Sequence, residues 1–107
     1  MIAGRETDVR VAMARGCRVS FDCRRMVEPQ SVTGMSCESD YVPLPCYSTD
    51  RSAALTLLDG RWWEAHVSPT GKTEVKLCIA ATIYTAVEPT LALAICAAFL
   101  AEKEAKP

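Results

Sequence analysis

Four thiols, Cys17, Cys23, Cys37 and Cys46, fall before the middle of the chain in the pattern C-x5-C-x13-C-x8-C. Four thiolates are a donor set for a tetrahedral structural zinc, which accepts sulfur readily and needs no further ligand when so enclosed. The spacing departs from the short pairs, about two to four residues apart, that usually hold such an ion. Free thiols are the competing expectation, and no other cofactor is implied. Cys78 and Cys96 lie inside apolar stretches, where a thiol packs as a small hydrophobe.

His66 is the only histidine. As a general base it would need a nucleophile and an orienting acid within reach, and nothing in the sequence brings them to it. The acids Asp8, Glu28, Asp40, Asp50, Asp59 and Glu64 are available for paired-carboxylate chemistry, yet helix starts and turns already account for acids in such places. Gly4, Gly16, Gly34, Gly60 and Gly71 stand singly, so no phosphate-cradling loop is present. No catalytic residue is assigned, and the chain is expected not to be an enzyme.

The richest candidate surface comprises Tyr47, Ser48, Thr49, Arg51, Arg61, Trp62 and Trp63. Successive strand residues face opposite ways, so one indole should enter the core while the other stands outside it. An outer aromatic beside arginines and a helix start offers stacking, guanidinium and amide contacts to a flat anionic ligand such as a nucleotide. The competing expectation is that helices cover both indoles, one on each face of a sheet. A second basic group, Arg15, Arg18, Arg24 and Arg25, reads as a solvated face more readily than as a footprint for phosphates.

These residues must be held by a few short elements. Val9, Ala12 and Met13 among charges suit a helix from Gly4 to Ala14, closed by Gly16. Cys17 to Phe21 alternates as a half-buried strand. Residues 28–46 carry Pro29, Gly34, Pro43 and Pro45 and read as a long loop. A helix through Ala53, Ala54, Leu55 and Leu58 follows, with Ser48 as its expected N-cap, Asp50 complementing its dipole and Asp59-Gly60 stopping it. Trp62 to Val67 and Thr73 to Ile79 predict a hairpin about Ser68-Pro69-Thr70-Gly71, the second strand running on towards Tyr84. Pro89 is expected in the first turn of a last helix that continues from Leu91 to Ala101 before a charged tail from Glu102 to Lys106. That helix is apolar on all sides and so must be covered on more than one, either by being central or by being shared with a second subunit.

A chain of 107 residues, half of them apolar and 23% charged, fits one domain over 1–107 with one core. A net charge of −1 supplies no global positive field, so duplex nucleic acid is not expected as a partner. Glu88-Pro89 divides the apolar stretch 77–101 into halves too short for the roughly 20 residues of a membrane span. The first residues lack the pattern of a secretory signal, and the chain is expected to work in a bacterial cytoplasm.

Ala-Gly-Arg-Glu-Thr-Asp at 3–8, Tyr-Ser-Thr-Asp at 47–50, the Trp62-Trp63 strand and Pro-Thr-Leu-Ala-Leu-Ala-Ile-Cys-Ala-Ala at 89–98, taken in order, resemble the phage ABA sandwich domain family. The resemblance implies a small phage or prophage protein of α+β class, with a small antiparallel sheet flanked by helices in the manner of an α-β-α sandwich. It carries no established catalytic residues. The expected function is that of a non-enzymatic accessory protein binding a host component, in its sharpest form an oligomeric counter-defence sponge that sequesters a nucleotide signal. The alternative is a structural or assembly protein acting through homo-oligomerisation and protein partners, with a small enzyme third.

Overall fold

The computed structural model describes residues 1–28 and 41–105. Helix α1 (Arg5–Ala14) starts at Gly4, whose φ of 149° and ψ of −178° lie in a backbone region essentially closed to residues with a Cβ. It ends at Gly16 as expected, with φ at 90°. The strand expected over Cys17–Phe21 shortens to β1 (Arg18–Val19). Residues Ser20 to Arg24 instead turn the chain back into β2 (Arg25–Val27), the Ser20 N–H reaching the Arg25 carbonyl at 2.8 Å. Phe21 is fully exposed at the tip of that turn.

Asp40, Cys37 and most of the long loop expected over 28–46 lie outside the described residues. The end of that segment is not all loop. Val42–Pro43 forms β3, which pairs antiparallel with β2 and is an edge strand, a place where proline is tolerated.

Helix α2 (Arg51–Leu55) continues into a 3₁₀ turn over Thr56–Leu58. Its N-cap is Asp50, whose carboxylate accepts from the Ser52 N–H at 3.0 Å, and not Ser48. The Ser48 hydroxyl is engaged elsewhere: it is buried, accepts from the Gly4 N–H at 2.9 Å and donates to Asp8 at 2.8 Å.

β4 (Trp62–Val67) and β5 (Thr73–Ile79) form the expected hairpin, closed by the Gly71 N–H on the Ser68 carbonyl at 2.9 Å. The second strand does not run on to Tyr84. Ala80 and Ala81 take φ of 51° and 68°, the left-handed pair that reverses a two-residue hairpin, and β6 (Thr82–Glu88) returns antiparallel along β5. Such turns are normally signalled by Asn-Gly or Asp-Gly, and an Ala-Ala reversal gives the sequence no such mark.

Helix α3 (Leu91–Glu104) is capped by Thr90, whose hydroxyl accepts from the Leu93 N–H, so Pro89 precedes the cap instead of occupying the first turn. The helix runs past Ala101 into the expected charged tail, and Glu102 there is only 2% exposed. Val75 and Leu77 are fully buried on the inner face of the sheet, with Trp63, Tyr84 and Ala86 partly buried beside them against the core. α3 lies against that face, contacting β5 and β6, and meets α1 and α2 as well, which explains an apolar character on every side: it is central. The class is α+β, with two small antiparallel three-stranded sheets, β1-β2-β3 and β4-β5-β6; among the described residues helices pack on one face of the second only, so the expected α-β-α layering is not formed.

Among the described residues no helix covers the outer face of β4–β6, so the expectation that helices cover both indoles does not hold. Trp63, partly buried, packs against the core, whereas Trp62, Ile83 and Val87 stand 50–60% exposed on the opposite face. No helix among the described residues is long and apolar enough to cross a membrane.

Candidate functional site

Three cations from three different elements meet at one cleft. Arg15 is the C-cap of α1, Arg61 follows the turn that ends the 3₁₀ segment, and Lys103 lies on the last turn of α3. They line a shallow cleft of about 230 Å³ together with Thr56, Asp59 and Phe99. Phe99 and Lys103 are four apart on α3 and therefore share a face. The Arg61 guanidinium and the Lys103 ammonium each lie 5.4 Å from the Phe99 ring centroid, within cation–π range. Both also stand 3.7 Å from the buried Glu102 carboxylate, and the ends of α1 and α3 present the negative pole of their dipoles. These negative contributions offset the mutual repulsion of the three cations.

Arg15 is held from behind. It donates to the Tyr47 hydroxyl at 2.6 Å and to Glu28 at 2.8 and 3.5 Å, with the Cys17 sulfur 3.6 Å away. Burial is the largest influence on its own proton and favours losing it, but the Glu28 hydrogen bond and the neighbouring Tyr47, Cys17 and Glu28 together outweigh this, and the guanidinium is held more firmly charged than usual. Burial pushes the Cys17 thiol and the Tyr47 hydroxyl above their ordinary ranges, against the opposing pull of Arg15. Cys17 is thus held as a thiol and Tyr47 as a phenol, the forms that bond well and attack poorly. Cys96, wholly buried in α3, is pushed up to about 12 by burial.

The seven residues grouped from the sequence are not gathered into one surface. Tyr47 and Ser48 are each 1% exposed and belong to the interior. Thr49 and Arg51 are exposed at the start of α2. Trp62 and Trp63 lie on opposite faces of β4, and Arg61 alone lines the cleft. Phe99, Lys103 and Thr56 were not singled out by sequence. Their only signal was the four-residue spacing of Phe99 and Lys103 across what read as a boundary between helix and tail.

The other candidates are engaged locally. Asp8 is buried and accepts from both the Ser48 N–H and hydroxyl at 2.8 Å; Glu28 pairs with Arg15; Asp50 caps α2; Asp59 lines the cleft. His66 meets Glu64 at 3.3 Å on the open face of the sheet. The Arg25 guanidinium lies 5.8 Å from the Tyr41 ring, while Arg18 and Arg24 are exposed along the β1–β2 hairpin. Asp22 at that hairpin turn has its carboxyl held below the usual range by the Ser20 hydroxyl first and the Arg24 amide second. Among the described residues no group of three or more His, Cys, Asp or Glu side chains is placed to hold a metal ion. Cys17 is buried, Cys23 lies in a turn, Cys46 is exposed, and Cys37 lies outside the described residues.

No family model matches the chain, and comparison with curated proteins and with solved structures finds no significant match.

Proposed function

We propose that the chain is a non-enzymatic accessory protein of the phage or prophage type, and that it holds the anionic group of a small host-made ligand at the Arg15–Arg61–Lys103 cleft. The observation that carries this is the convergence of three cations on one cleft, two of them, Arg61 and Lys103, over the Phe99 ring. A fixed guanidinium, an ammonium and a π-face together suit a phosphate attached to a flat or apolar group. The cleft, at about 230 Å³, is smaller than a site that encloses a whole drug-sized molecule. A nucleotide would therefore insert its phosphate and leave much of the rest outside.

A ligand that binds only the native state raises the melting temperature by mass action. Inorganic phosphate and a panel of mononucleotides and cyclic nucleotides are to be titrated against the thermal unfolding midpoint. The expected result is a concentration-dependent rise that Lys103→Gln reduces and Thr49→Ala leaves intact. No rise with any phosphate-bearing probe at saturating concentration overturns the reading.

The open outer face of the sheet favours a second reading, an assembly protein that works through protein partners. Trp62, Cys78 and Ile83 lie side by side across the three strands on that face, and Val87 is exposed further along it. Aromatic and apolar side chains in such a row are the usual material of a protein interface.

A further inference from the structure

We infer that β6 is the pairing edge for a second copy of this chain, joining two three-stranded meanders into one continuous six-stranded sheet. The inference rests on the second reading above, that the chain associates through its meander, and is independent of the anion cleft. In the sheet order β4-β5-β6, β6 is an edge strand that pairs, among the described residues, only with β5. Its other side presents a ladder of backbone donors and acceptors that a further strand can satisfy.

Folded chains ordinarily guard such an edge with lysine, proline, a bulge or shortness. β6 has no lysine, no proline and no charge before its last residue, Glu88, which the N-terminal amine meets at 3.5 Å. Thr82-Ile83-Tyr84-Thr85-Ala86-Val87 is strongly β-prone, without charge, proline or glycine, and Glu88 is the one charge in the strand. β4, the opposite edge, carries Glu64 and His66.

Strand length points to self-pairing. An antiparallel strand laid beside its own copy must keep inward residues beside inward residues, because a slip of one reverses the faces. β6 has seven residues, so a two-fold axis at Thr85 allows full overlap with both faces matched. Six-residue β4 fully overlapped with itself would set each inward residue against an outward one.

In the β6 register Thr85 meets Thr85 of the second copy, and Ile83 meets Val87. Tyr84 meets Ala86, and Glu88 meets Thr82. Ile83 and Val87, 60% and 50% exposed on the outer face, gain apolar neighbours, and no like charges are opposed.

Thr85→Glu tests this. In the single chain Thr85 lies across from Lys76, so a glutamate there gains an attractive cross-strand partner and the monomer stays folded. In the paired sheet two glutamates face each other directly. Mass by light scattering, read over protein concentrations up to about millimolar, a limit that admits a weak dimer, is expected to show dimer for the natural chain. For Thr85→Glu, with an unchanged melting curve at low concentration, dimerisation is expected to weaken by about tenfold or more. Hydrogen exchange should slow with concentration at the amides of 82–88 and not at those of 62–67.

A chain that dimerises equally well as Thr85→Glu, or whose concentration-dependent protection falls on β4 or a helix, overturns the β6 assignment while leaving association itself standing. A chain that remains monomeric throughout overturns both the pairing and homo-oligomerisation.

Discussion

Asp8 carries more of the fold than its place in a short, charged helix suggests. It is 3% exposed, and one of its oxygens accepts both the N–H and the hydroxyl of Ser48, whose oxygen in turn accepts the Gly4 N–H. Arg5 reinforces the junction by donating to the Leu44 carbonyl at 3.1 Å. The segments 3–8 and 47–50 therefore meet as a structural tie. Removing an acceptor here strands buried donors, which costs about 1–3 kcal/mol per group. Asp8→Ala is expected to lower unfolding free energy by about 2–3 kcal/mol, and Asp8→Asn by roughly half that because an oxygen acceptor remains. Urea denaturation followed by circular dichroism measures both, and equal losses for the two variants would count against the tie.

At the scale of elements, the reversal between β5 and β6 is the least expected feature. Two non-glycine residues in the left-handed region each carry a steric cost of about 1–2 kcal/mol, so Ala80 and Ala81 are retained by the ladder on either side. The double substitution Ala80→Asn with Ala81→Gly suits the same backbone and is expected to stabilise the chain by about 1 kcal/mol. A midpoint shift to higher urea at unchanged slope is the expected signature. A loss of stability would mean that the reversal is not of this type. Competition between elements also decides the cap of α2: Asp50 takes that place because Ser48 is already bonded to the N-terminal helix.

For the whole molecule, the decisive asymmetry is that the helices among the described residues lie on one face of the meander and leave the other open. Trp63 is partly buried against the core, while Trp62 is 58% exposed. Trp63→Ala is expected to cost about 3 kcal/mol or more of stability, as large aromatic truncations in cores do. Trp62→Ala should change monomer stability by less than about 0.5 kcal/mol. Chemical denaturation at low protein concentration separates the two, and comparable losses would show the open face to be covered. The cleft at the far side of this asymmetry and the edge of β6 are distinct sites, so ligand binding and association are expected to respond to different substitutions.

The sequence by itself determined the α+β class, the boundaries of α1, the β4–β5 hairpin and the presence of an apolar last helix. Each of these follows from local periodicity, turn residues and helix stops, which neighbouring residues alone specify. Only the tertiary structure decided which indole is inside, that α3 is central, that Glu102 is buried and that Ser48 serves Asp8. It alone brought Arg15, Arg61 and Lys103, far apart in the chain, to one cleft that Phe99 also lines. Those outcomes depend on contacts between segments distant in sequence, where packing of one face against another selects a side chain's partner and no local pattern encodes the choice. β6 escaped the sequence reading for the same reason: its turn has no turn residue, and the long ladder with β5 holds it in place.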